Sequence, residues 1–186
     1  MTAEGISRRA SLRGFVRRAL ITVPAILLLG MLSGRLANSG YGNPWFEALS
    51  KPRLMPPGWV FPVAWSTLYI LLGVALALIL NAPRSKTRSV AITLFLIQLA
   101  LNLSWSPVFF ALHRIMLALG IILAMLLWAT AATILCWRVR RAAGLLMLPY
   151  LAWLAFAATL NWGIHELNPR GVTLVPIAGD TQIIIQ

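Results

Sequence analysis

The sequence predicts an all-α membrane protein: a bundle of five transmembrane helices with a long first loop acting as a lid. Three observations carry this. Of 186 residues, 60% are apolar and only 11% are charged, with a mean hydropathy of +0.83. A soluble domain carries about 25% charged residues. The apolar residues fall into five runs, each close to the ~17–25 residues that cross a bilayer as a helix. Lysine and arginine cluster at the ends of those runs, where a membrane protein places them.

That placement also decides what the net charge of +12 means. Scattered clusters at run ends point to the membrane interface, not to a nucleic-acid-binding face, and nucleic acid is excluded as a partner. The single cysteine, Cys136, rules out an internal disulfide and reads as a small apolar filler.

Residues 1–18 form a basic segment with Arg8, Arg9, Arg13, Arg17 and Arg18. A secretory signal peptide is the alternative here. The apolar run after it is long, contains Pro24 and leads into further spans, which favours an uncleaved first helix. The runs are about Ala19 to Ala37, Val60 to Leu80, Val90 to Leu112, Met116 to Trp137 and Ala142 to Glu166. Pro24, Pro107 and Pro149 do not break this pattern, because neighbouring helices satisfy the freed backbone groups. Residues 19–168 therefore form the transmembrane domain, and 169–186 a C-terminal tail that is too short and broken to span and is expected to be flexible.

With five spans, the N-terminus and the second and fourth loops share one side and carry eleven Lys and Arg, against five on the other side. The positive-inside rule then predicts a cytoplasmic N-terminus in a bacterial inner membrane, with an outer membrane as the alternative.

The first loop, about Asn38 to Trp59, contains four prolines and three glycines. Within it, Asn43-Pro44-Trp45-Phe46-Glu47 predicts a short helical turn with Asn43 as N-cap and Pro44 in the first helical position. Pro56-Pro57-Gly58 predicts an extended entry into the second span. A long loop on a bundle of otherwise tight turns reads as a lid over a binding site.

The spans hold no acidic residue except Glu166 at the very end of the fifth, and no mid-helix Lys or Arg, which argues against a proton-coupled pump or an ion channel. There is no phosphate-binding glycine loop and no metal cluster, so no catalytic residue, metal ligand or required cofactor is assigned. His113 and His165 read first as half-wet imidazoles at helix ends, with axial ligation of a metalloporphyrin as the alternative.

The eight tryptophans are the chemical signal. Trp59, Trp137 and Trp162 fit the interfacial belt. Trp65, Trp105 and Trp153 lie deeper, in polar company that includes Tyr69, Asn102 and Asn161. An unpaired amide in hydrocarbon costs on the order of 4–8 kcal/mol, so Asn102 and Asn161 must face the bundle interior, bonded to another helix or to each other, or lining a cavity. Aromatics with a few polar groups inside a bundle describe a pocket for a planar, largely apolar ligand, a steroid or a tetrapyrrole.

Four separate stretches resemble the TspO/MBR family of tryptophan-rich sensory and translocator proteins. They are Trp45-Phe46-x-Ala-Leu-x-Lys51-Pro52-x-x-x-Pro56-Pro57-Gly58-Trp59; Phe61-Pro-Val-Ala-Trp65-x-x-Leu-Tyr69-x-x-x-Gly73; Leu101-Asn102-x-x-Trp105-Ser106-Pro107-x-Phe109-Phe110; and the run from Leu148 to Asn161. The resemblance implies a five-helix bundle, often a homodimer, with a pocket below the first loop that binds protoporphyrin IX or haem, and in several members cholesterol. Position by position, it implies a pocket of Trp65, Tyr69, Asn102, Trp105, Trp153, Ala157 and Leu160, and a lid with Trp45, Lys51, Pro52, Pro56 and Pro57. Leu54 stands where the family often has tryptophan, and the sterol motif is not matched, since Trp162 replaces its tyrosine and Arg170 lies too far on. Tetrapyrrole is therefore favoured over sterol. Sensing or translocation is the main functional reading; a light- and oxygen-dependent porphyrin-degrading enzyme and a sterol or lipophile transporter are the alternatives. Gly30-x-x-x-Gly34 is read as close packing within the bundle or as a dimer contact.

Overall fold

The computed structural model describes residues 3–171, with side chains described from residue 11 onward. Most of the tail expected to be flexible lies outside the described residues, as do the side chains of Arg8 and Arg9.

Among the described residues every regular element is helical: α1 (Ala3–Leu36), the short α2 (Pro44–Ala48), α3 (Val60–Asn81), α4 (Lys86–Ser106), α5 (Ile115–Val139) and α6 (Arg141–Leu167). Five of them are long and apolar enough to cross a membrane. In space α1 lies beside α3 and α4, α3 beside α6, α6 beside α5, and α5 beside α4, so the spans close into a ring.

Two helices begin several residues ahead of their apolar runs. At 34 residues, α1 starts well before Ala19. Such a helix is about 51 Å long at ~1.5 Å per residue, against a hydrocarbon core of ~30 Å. Its basic first half therefore stands outside the lipid. Bonds to Asn81 of α3 hold it there: Arg18 Nη1 donates to Asn81 Oδ1 (2.6 Å) and Asn81 Nδ2 donates to Ser11 O (3.1 Å), while Arg18 Nη1 also donates to Gly14 O in its own helix (3.0 Å). The second case is α4, which begins at Lys86 because Ser85 Oγ caps it, accepting from Arg88 N–H at 3.1 Å. At its other end Pro107 supplies no N–H, and residues Pro107–Ala111 continue as a π-turn closed by Leu112 N–H on Pro107 O (3.0 Å).

The contact between α1 and α3 is backbone-close. Thr22 Oγ1 donates to Gly73 O at 2.7 Å, and a Cβ at Gly73 would stand 2.6 Å from Val23 Cα. Small residues permit such approach in lipid, where the hydrophobic effect drives no helix association. Gly30 packs against the Tyr69 ring, inside the bundle, whereas a Cβ at Gly34 would meet only Ser39, at 3.9 Å.

The first loop folds as read. Asn43 Oδ1 accepts from Phe46 N–H at 3.1 Å and Pro44 opens α2. The loop has its own apolar core, in which Trp45, Phe46 and Leu49 pack with Phe109, Phe110 and Ile164. Cys136 is buried in the main core, as a filler should be.

Candidate functional site

A cavity of about 900 Å³ lies inside the ring, near the upper end of the ~300–1,000 Å³ typical of ligand sites. Each of its walls follows from helical spacing. On α3, Trp65 and Tyr69 stand one turn apart and stack at 5.4 Å with planes 29° apart. On α4, Asn102 and Trp105 share a face, and Trp105 stacks on Phe109 at 5.0 Å. On α6, Trp153, Ala157, Leu160 and Asn161 form one stripe. Trp153 turns its edge to Trp65 at 6.2 Å and to Phe61 at 6.1 Å. All seven pocket positions taken from the family resemblance line this one cavity.

At the inner end a hydrogen-bond chain closes the floor. Tyr69 Oη donates to Asn102 Oδ1 (2.9 Å), and Asn102 Nδ2 donates to Tyr150 Oη (3.2 Å). Of the alternatives left open for the two asparagines, both bond to other helices and both line the cavity, and they do not pair with each other. Asn161 Nδ2 donates instead to Ile115 O on α5 (2.9 Å), because the two asparagines sit at different depths and each meets a nearer partner. Tyr150 had been noted only as part of a family stretch; its place on the Trp153 face, one turn earlier, was the available signal.

Three buried polar atoms on the cavity wall lack a partner among the described residues: Trp105 Nε1, Trp153 Nε1 and Asn161 Oδ1. Such atoms are costly in a dry interior. All three are closed off from the cavity space as well, so what the wall presents to a guest is its aromatic lining. Gln98, fully buried one turn before Asn102, also has no partner for its amide, but it lies off the cavity.

The outer end opens between the last turn of α1 and the start of α3, where exposed Arg35, Asn38, Ser39, Tyr41 and Trp59 line the cavity. The loop meets the cavity through Tyr41, Phe46, Met55 and Gly58. The five loop residues singled out from sequence are not among its lining. They build the loop instead. Trp45 is buried, with Nε1 donating to Gly171 O at 2.7 Å. Lys51 Nζ closes the end of α2 by donating to Phe46 O (2.9 Å), Leu49 O (3.0 Å) and Glu47 O (3.1 Å), and stands 4.8 Å from the centre of the Phe46 ring. Burial lowers its pKa, opposed by the charge of Glu47. Pro52 packs towards Gly163. Neither histidine lines the cavity. His113 stacks on Trp45 at 4.3 Å, and His165 lies beside Trp162.

The model of the TspO/MBR family matches residues 21–167, well over half of the chain. The chain belongs to the TspO/MBR family. Among its relatives are Protein CrtK of Rhodobacter capsulatus, 40% identical over 67% of this chain and 79% of the relative, and the tryptophan-rich protein TspO of Chlorobaculum tepidum, 41% identical over 67% and 80%. The human translocator protein is 39% identical over 75% of this chain and 84% of its own length. Membership and the five apolar helices together make this TspO/MBR protein an integral, multi-pass membrane protein. The matched region runs from the lipid-embedded part of α1 to the end of α6 and includes the whole cavity lining.

Proposed function

We propose that this TspO/MBR protein binds a planar tetrapyrrole, such as protoporphyrin IX or haem, in the interior cavity, and acts as a sensor or translocator of that ligand. The observation that carries the reading is the cavity lining. Flat aromatic faces from three helices surround a space of about 900 Å³. Aromatic faces favour a planar ring. Relatives named as sensory and translocator proteins support the choice of role. The lid, a homodimer and a cytoplasmic N-terminus belong to the same reading. Arg13, Arg17, Arg84, Lys86, Arg138, Arg140 and Arg141 all flank the membrane end that would face the cytoplasm.

The test is quenching of tryptophan fluorescence in the purified protein by protoporphyrin IX. Saturable quenching is expected, weakened by Trp65→Phe and Asn102→Ala but not by the lipid-facing Trp137→Phe. Quenching that never saturates and ignores these substitutions would show that porphyrin merely enters the micelle, and would end the tetrapyrrole reading.

A further inference from the structure

Arg35 is the one charged side chain lining the cavity among the described residues. It stands in the last turn of α1, where a cation ordinarily serves the exposed carbonyls of the helix end. Here those carbonyls are already satisfied by backbone: Ser33 O accepts from Ala37 N–H, Gly34 O from Ser39 N–H and Arg35 O from Asn38 N–H, at 2.9 to 3.1 Å. Asn38, at φ +51°, takes the left-handed position of this closure.

Some described cations do serve carbonyls, while Arg138 in the last turn of α5 makes no such bond. Arg88 donates to Ile79 O and Leu80 O, Arg18 to Gly14 O, and Lys51 to three carbonyls of α2. The Arg35 guanidinium makes no hydrogen bond or ion pair with any described residue. Neither Glu47 nor Glu166 lines the cavity to neutralise it. The cavity thus has an aromatic body and, at its mouth, a single free planar cation flanked by Asn38 and Ser39. A guanidinium fork matches a carboxylate in two parallel hydrogen bonds, and these are stronger than neutral ones.

The geometry points to Arg35 as the determinant that selects a carboxylate-bearing guest: the flat apolar body lies in the aromatic cavity, and the acid group stays at the mouth on the guanidinium. This rests on the tetrapyrrole-binding reading and adds to it both an orientation, acid end outward, and a residue that discriminates acids from neutral analogues.

The probes are protoporphyrin IX, a dicarboxylic acid, and its dimethyl ester, titrated against the purified full-length chain at moderate salt. The wild type is expected to bind the acid more tightly than the ester. Arg35→Gln is expected to weaken acid binding by about tenfold, as loss of a charge-assisted pair does, and to leave ester binding unchanged. Arg35→Lys, which keeps the charge without the fork, falls between. Arg53→Gln, an equal loss of charge at an exposed loop position off the cavity, leaves the acid-to-ester ratio as it is.

An unchanged ratio in Arg35→Gln would overturn the inference, as would an equal drop in Arg53→Gln. If the ester still saturates and Trp65→Phe still weakens it, the cavity reading survives that failure. If neither porphyrin saturates, both fall together.

Discussion

The ring of Tyr69 occupies the space in which a side chain at Gly30 would stand. One glycine on α1 thus sets the position of a hydroxyl that bonds Asn102 on α4, at 2.9 Å. Three helices are tied together at the cavity floor by a residue with no side chain. Gly30→Val is expected to destabilise the fold by about 1–3 kcal/mol, as overpacking does, and to weaken protoporphyrin quenching by displacing Tyr69. Gly34→Ala, which meets only Ser39 at ordinary contact distance, is expected to leave thermal unfolding in detergent unchanged. A large loss in Gly34→Ala would assign this pair of glycines to a contact between copies of the chain.

Asn102 joins two buried tyrosine hydroxyls, accepting from Tyr69 and donating to Tyr150. Asn102→Ala strands the Tyr69 hydroxyl, leaves the Tyr150 hydroxyl only its contact to Met125 Sδ at 3.8 Å, and is expected to cost about 1–3 kcal/mol. Tyr69→Phe removes one donor and leaves Asn102 its bond to Tyr150, so it should cost less. Unfolding titrations of the two variants and their double mutant check the order; additive losses would show that the chain does not act as a unit.

Gly73 and Thr22 hold α1 against α3. At Gly73 a Cβ would run into the Val23 backbone, which cannot swing aside as a side chain can. Gly73→Ala is expected to part the helices and cost about 2 kcal/mol or more. Thr22→Val, losing the hydroxyl's bond to Gly73 O and its longer within-helix bond to Arg18 O, should cost about 1 kcal/mol. Equal melting temperatures for the two variants would refute this ranking.

His113 lies in the turn between α4 and α5, at φ +55°, with its ring on Trp45. Burial lowers its pKa below the ordinary 6.5, against the opposing effect of a hydrogen bond to the Phe110 backbone. The fold therefore favours the neutral ring, and the unfolded chain binds more protons between the lowered value and 6.5. Its contribution to stability is complete above that pH and is lost as pH falls through it. Hydrogen exchange around Trp45 and Phe109 should quicken as pH drops below 6.5, once the intrinsic pH dependence of exchange is divided out. The effect should be absent in His113→Gln; if it persists there, another group is responsible.

The spans were legible in the sequence because the bilayer imposes their length, and a run of apolar residues has one stable form in lipid. The Asn43 cap and the turn it starts were legible because capping is local, reaching only three residues along the chain. The requirement that Asn102 and Asn161 face inward followed from the cost of a bare amide in hydrocarbon. Which groups they meet did not follow. Lipid and bundle core are equally apolar, so the pattern of a span says little about its rotation about its own axis. Packing alone decided that Asn102 meets two tyrosines, that Asn161 meets a carbonyl, and that Trp45 and Lys51 build the loop instead of lining the cavity. It also decided that α1 keeps its helix through the basic segment, held by Arg18 on Asn81, and that the helix-end carbonyls beside Arg35 are closed by backbone. The sequence by itself determined how many helices cross the membrane and which residues had to lie inside. The tertiary structure decided who faces whom, because that depends on contacts between residues far apart in the chain.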